Sequence, residues 1–200
     1  MLIRIGLAAA PLALVMTAVP APASTGLAAT AVATQATATS APAKVSAIEA
    51  FVSLEGDWEG SLAYRDYQSD KMETIPVAVN MEALPDGQTL VQRFDYTDPG
   101  FQVYITNLIT VTDSLLTGAT ARAGRAFETY EKTITVEQAR DAENWTAVLS
   151  SEGEDDSRPA MIRETMKRTG DTMTITKDVD FLDDDAAVWE FRNRITLKQS

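Results

Sequence analysis

The chain is predicted to be all-β: a ten-stranded antiparallel up-and-down barrel preceded by one short helix. Three observations predict it. Beyond Gly56 apolar and polar residues alternate with period two. Turn-forming residues punctuate that alternation at Pro85-Asp86-Gly87, Asp98-Pro99-Gly100, Gly170-Asp171 and Asp183-Asp184-Asp185. No second helix is available to cover an open sheet, so long strands joined by short hairpins must bury their apolar faces on one another. Closure achieves this and removes the edge strands. A β-sandwich is the alternative, but the average spacing of about 14 residues per strand and turn exceeds the ~8–12 of typical sandwiches.

The helix is expected over Lys44 to Leu54, where Val45, Ile48, Phe51 and Val52 recur at helical spacing before Gly56. Strands are expected near 57–67, 72–83, 89–97, 101–112, 115–122, 126–137, 144–151, 159–168, 172–181 and 187–198. A two-residue turn fixes register, so two hairpins can be tested on paper. A turn at Asp86-Gly87 sets Val77 opposite Tyr96, Val79 opposite Phe94, Met81 opposite Gln92 and Ala83 opposite Leu90, with Asn80 and Arg93 together on the other face. One face is apolar and one polar, as a half-buried sheet requires. A turn at Gly170-Asp171 sets Ile162 opposite Val179 and Met166 opposite Ile175. On the outer face Arg163 meets Asp178 and Thr165 meets Thr176, and on the inner face Glu164 stands opposite Lys177.

The first 43 residues have a different composition: every Trp, Tyr and Phe lies at Phe51 or later, and the first acidic residue is Glu49. Met1-Leu2-Ile3-Arg4 reads as a positive n-region, Ile5 to Val19 as an uncharged apolar h-region, and Ala21-Pro22-Ala23 as a small-residue cleavage site. Residues 1–23 are therefore expected to be a signal peptide. The rival, an uncut anchor, is interrupted by Pro11, Pro20 and Pro22 and built largely from Ala and Thr. Residues 24–43, Ala/Thr/Pro-rich and without charge or aromatics, are expected to be a disordered linker, leaving 44–200 as the barrel domain. The expected location is periplasmic or secreted, with no stable membrane insertion after leader cleavage.

Composition excludes much chemistry. With no Cys and no His there is no thiol nucleophile, disulfide, Cys/His zinc site, imidazole base or haem held by a proximal His. A net charge of −12 opposes a nucleic-acid partner, whose phosphates require clustered Lys and Arg. No G-x-S-x-G elbow, S-x-x-K, P-loop or G-x-G-x-x-G occurs, and no cofactor or metal is expected. Asp178-x-Asp180 lacks the glycine and terminal Glu of an EF-hand loop. The acidic clusters Glu152/Glu154/Asp155/Asp156 and Asp183/Asp184/Asp185 read as solvated charge at hairpin tips. Asn144-Trp145-Thr146 is a formal glycosylation sequon inside a strand.

The segment Leu54-Glu55-Gly56-Asp57-Trp58-Glu59-Gly60 carries a Gly-x-Trp pattern after a short helix. In this it resembles the calycins, the superfamily of lipocalins and fatty-acid-binding proteins, over residues 44–200. The resemblance implies a calycin-like barrel whose Trp58 closes the floor under a basic residue from the chain end, here Arg192 or Arg194. Tyr64-Arg65-Asp66-Tyr67-Gln68-Ser69 is similar to a stretch in uncharacterised exported bacterial proteins. The His ligand of ten-stranded haem-binding relatives is absent, and the two-Arg-and-Tyr clamp of fatty-acid carriers has no residue-by-residue counterpart.

A barrel of this size can enclose one small ligand. On the inferred inner faces Gln92, Asn107, Glu164, Lys177 and Asn193 interrupt the apolar residues, either to orient a ligand or to satisfy one another and trapped water. Trp58, Trp145, Tyr64 and Tyr96 either line the ligand or simply pack. Glu164 and Lys177 are either a structural salt bridge or an acid/base couple. Binding of a small apolar or amphipathic molecule in the cavity is the leading function. The alternatives are a structural or envelope interaction protein with no small ligand, and an enzyme using Glu164 and Lys177.

Overall fold

The computed structural model of the protein describes residues 45–66, 71–98 and 100–200. The expected signal peptide and linker, Lys44, and residues 67–69 of the Tyr64–Ser69 stretch lie outside the described residues.

One helix, α1 (Ala47–Val52), precedes ten strands: β1 (Gly56–Arg65), β2 (Met72–Ala83), β3 (Thr89–Asp98), β4 (Phe101–Val111), β5 (Leu115–Arg122), β6 (Glu128–Asp141), β7 (Asn144–Asp155), β8 (Arg158–Thr169), β9 (Thr172–Phe181) and β10 (Glu190–Gln199). Consecutive strands pair antiparallel, and β1 also pairs with β10, so the sheet closes into an up-and-down barrel. At that seam the strands approach closely beside Gly60, where a Cβ would run into the Thr196 carbonyl oxygen.

α1 is shorter than the apolar spacing suggests because a capping box sets its start. The Glu49 amide donates to Ser46 Oγ at 3.1 Å, and the Ser46 amide donates back to Glu49 Oε2 at 2.9 Å. Both registers read from two-residue turns hold: Val77 pairs with Tyr96 and Met81 with Gln92, and Ile162 pairs with Val179 and Glu164 with Lys177. The outer-face partners follow. Arg93 donates to Asn80 Oδ1 at 2.8 Å, and Arg163 lies 3.3 Å from Asp178.

Strand ends differ from the sequence expectation where a hairpin is irregular. β6 runs on to Asp141 through irregularities between Val136 and Gln138 and between Ala139 and Asp141, which shift the alternation that marked its apparent end. β7 continues to Asp155, which pairs with Arg158 across a tight turn. β10 begins only at Glu190, after a turn in which Ala187 takes a φ of 45°.

The antiparallel order separates the two ends of the barrel. The β2–β3, β4–β5, β6–β7 and β8–β9 turns share one end with α1 and the chain terminus, and the other five turns surround the opposite mouth. The main core fills the α1 end, where Ala50, Phe51, Leu54, Trp58, Met81, Leu90, Val111, Met173 and Leu197 are all buried. A small second cluster of Ala160, Val179 and Phe181 lies towards the mouth.

Candidate functional site

The floor of the barrel is built on Trp58. Alternation on β1 points its indole inward, and it is fully buried with Nε1 donating to the Leu54 carbonyl at 2.8 Å. The basic residue over it is Arg168 of β8, with its guanidinium carbon 5.3 Å from the indole centroid. Arg168 donates to the carbonyls of Ser53 and Gly170 and to Gln199 Oε1, so it ties α1, the β8–β9 turn and the chain end together. Burial pulls its pKa down, opposed by the nearby charges of Glu143 and Asp141. Neither Arg192 nor Arg194 takes this role, because Trp58 pairs with Gln199, farther along β10. Arg194 faces outward and donates to Thr176 Oγ1 at 3.2 Å, and Arg192 is turned inward nearer the mouth by the irregularity between Phe191 and Asn193.

Above this floor lies a cavity of about 340 Å³. Its apolar lining is Phe51, Phe94, Ile105, Ile109, Leu116, Leu149, Met166, Ile175 and Ile195. Its polar lining falls into two groups. On β3, β4 and β5 the paired positions Gln92, Asn107 and Thr120 form a chain in which Thr120 Oγ1 donates to Asn107 Oδ1 at 2.7 Å and Asn107 Nδ2 approaches Gln92 Oε1 at 3.5 Å. On β6, β8, β9 and β10 stand Tyr130, Lys132, Glu164, Lys177 and Asn193.

Glu164, Lys177 and Asn193 form one cross-strand row. Glu164 accepts from Lys132 Nζ at 2.6 Å, and Lys177 Nζ donates to Asp155 Oδ1 at 2.6 Å. Asp155 also meets Arg192 Nε at 2.8 Å through its other oxygen, and its side chain is only 2% exposed. Such a carboxylate survives burial because two cations offset the lost hydration. Reading Asp155 as solvated charge at a hairpin tip is therefore corrected: β7 carries it inside the wall. Asp183 and Asp184 are likewise not simply solvated, since both pair with Arg158 at 2.5 and 3.0 Å.

Two tyrosines bracket the charged row. Burial pushes the Tyr96 phenol up to about 12, with the Glu164 carboxylate adding to the shift. The Tyr130 phenol is raised by burial and by Glu164, partly opposed by a hydrogen bond with Thr120. Gly118 makes room for Tyr130, whose ring occupies the place a Cβ would take.

Of the nine sequence-derived candidates, Gln92, Tyr96, Asn107, Glu164, Lys177 and Asn193 come together around the cavity. Trp58, Tyr64 and Trp145 do not line it. Trp145 is packed below, stacked on Phe51 at 6.0 Å with Nε1 donating to the Ala142 carbonyl. Tyr64 sits half-buried at the mouth end of β1, and its phenol is raised by desolvation and by Asp98, Glu73 and Asp66.

Thr120, Tyr130 and Lys132 complete the lining and were not singled out from the sequence. The alternation Tyr130, Lys132, Ile134, Val136 in β6 was a usable signal for two of them. Exposed apolar side chains gather at the mouth end: Met72, Phe101, Phe127, Leu182, Val188 and Trp189 all lie in its turns or at adjoining strand starts. Among the described residues no group of three or more His, Cys, Asp or Glu could hold a metal ion, and no helix is long and apolar enough to cross a membrane.

No protein-family model matches the chain, and no curated protein matches it. Among solved structures it is similar to Rv2717c from M. tuberculosis, at 15% identity over 76% of this chain and 96% of that one, with a TM-score of 0.52. A protein of unknown function of the DUF3598 family from Nostoc punctiforme aligns at 10% identity over 78% of this chain and all of that one, with a TM-score of 0.24. The likeness to the mycobacterial protein is one of fold: a barrel of this kind recurs with little shared sequence.

Proposed function

We propose that this protein is an exported, calycin-like binding barrel that holds one small amphipathic molecule in its cavity. The observation that carries the reading is the cavity itself. A barrel with no ligand to hold can fill its interior with side chains, whereas this one keeps about 340 Å³ open, within the ~300–1,000 Å³ range of small-molecule sites. The lining also has the composition of such sites, an apolar majority with a few placed polar groups. Export is supported by the order of residues 1–23.

Native mass spectrometry of the protein purified from its own cell envelope tests the reading. A reproducible extra mass, lost in an Ile175→Trp variant that fills the cavity, is expected. A bare protein mass in both would overturn it. The second reading, an interaction protein without a small ligand, is favoured by the apolar side chains around the mouth, and the bare mass is the result it expects.

A further inference from the structure

We propose that the molecule bound in the cavity is a compact anion, held with its acidic group against Lys132 and Lys177 and its apolar body over the Phe51 floor. This rests on the binding reading above and adds the ligand's charge to it.

The inner wall reverses the sign of the molecule. The chain carries a net charge of −12, yet the charged groups in and beside the cavity among the described residues are three cations, Lys132, Lys177 and Arg192, against two carboxylates, Glu164 and Asp155. A cationic ligand would meet carboxylates that are already paired with cations. Asp155 has one oxygen on Lys177 and the other on Arg192, and Glu164 Oε2 already accepts from Lys132.

The ammonium groups have capacity left. Each has three N–H donors, and among the described residues each makes one hydrogen bond. Both side chains remain about one-fifth exposed, at 19% for Lys132 and 23% for Lys177, on the surface that lines the cavity. An anion entering this wall loses hydration but gains charge-assisted hydrogen bonds in a medium of reduced dielectric, where they are strongest. The neutral donors Asn107 and Thr120 on the opposite wall are engaged with each other and with Gln92, so Lys132 and Lys177 are the charged donors that the lining offers an acceptor. A volume near the lower limit of ligand sites selects a compact ring body over a long chain.

Two dyes that share an apolar body and differ by an acidic group test this: 8-anilinonaphthalene-1-sulfonate and neutral N-phenyl-1-naphthylamine. Their dissociation constants are measured by fluorescence titration of the full chain at low salt, with Ile175→Trp as the control that blocks the cavity. The sulfonate dye is expected to bind, to be lost in the control, and to lose affinity relative to the neutral dye by about tenfold in Lys132→Met or Lys177→Met, the scale of one charge-assisted hydrogen bond. Glu164→Gln, which removes negative charge, is expected to move the ratio the other way, so the test survives if a lysine variant fails to fold. If the neutral dye binds in the cavity and the ratio is the same in all three variants, the anion proposal is overturned while the binding reading stands. If neither dye enters the cavity, both are overturned.

Discussion

Glu164 and Lys177 stand directly opposite one another on β8 and β9, yet each takes its ion-pair partner from a different strand. Glu164 pairs with Lys132 of β6, and Lys177 pairs with Asp155 of β7, both at 2.6 Å. Cross-strand neighbours share a face but not necessarily a bond, because long side chains choose among every charge within reach. The consequence for chemistry is direct. A carboxylate and an amine that would form an acid/base couple if they shared a proton are instead anchored in separate pairs along one wall.

A double-mutant cycle measures which pairing is real in solution. Lys132→Met and Glu164→Gln, alone and together, are expected to show a coupling energy of about 1 kcal/mol or more in urea unfolding, since both side chains are under one-quarter exposed. The same cycle on Lys177 and Glu164 is expected to give a clearly smaller coupling. Equal couplings would mean that Glu164 is shared between the two lysines.

Tyr96 gives the cavity wall an alkaline signature. Its phenol titrates near 10 in the unfolded chain and is pushed up to about 12 in the fold, first by burial and second by Glu164. The folded pKa is the higher one, so the contribution to stability is fully present below pH 10 and is lost between pH 10 and 12, as the unfolded state releases a proton the folded state retains. The slope for one such group is at most about 1.4 kcal/mol per pH unit. Tyr96→Phe keeps the stacking on Phe94 and removes the titration, so its stability is expected to fall less steeply with pH in that window. Parallel curves for the two proteins would show that the phenol is not held protonated by the fold.

How much of this was legible in the sequence depended on how each hairpin is closed. Asp86-Gly87 and Gly170-Asp171 are short enough to dictate register, so the sequence alone places Gln92, Tyr96, Glu164 and Lys177 on inner faces and in pairs. The β5–β6 connection, with Gly124 at a φ of 75°, is longer and sets no register on its own. Lys132 was therefore not matched to Glu164 two strands away. Asp155 was hidden for another reason: four acidic residues close together look like a solvated tip, and only the continuation of β7 to Asp155, paired with Arg158 of β8, shows that alternation turns Asp155 inward. Arg192 depends on an irregularity in β10, which no periodic pattern announces. Local turn chemistry was readable, whereas charge pairs spanning several strands needed the closed barrel.

The floor is the part of the molecule on which the site depends most, and Trp58 is its keystone. The indole is fully buried, donates to the Leu54 carbonyl and lies under the Arg168 guanidinium, which in turn holds Ser53 and Gln199. Trp58→Ala removes the largest fully buried side chain among the described residues and is expected to cost ~3–5 kcal/mol in urea unfolding. Trp58→Phe keeps most of the volume but leaves the Leu54 carbonyl without its donor, and is expected to cost less, about 1–3 kcal/mol. Phe51, three residues before Leu54, both lines the cavity and stacks on Trp145. Loosening the floor should therefore reach the site, and Trp58→Phe is expected to weaken dye binding while the protein remains folded. If Trp58→Ala costs under about 1 kcal/mol, the helix is not locked to the barrel through this contact, and the cavity floor must be held by Phe51 and Trp145 alone.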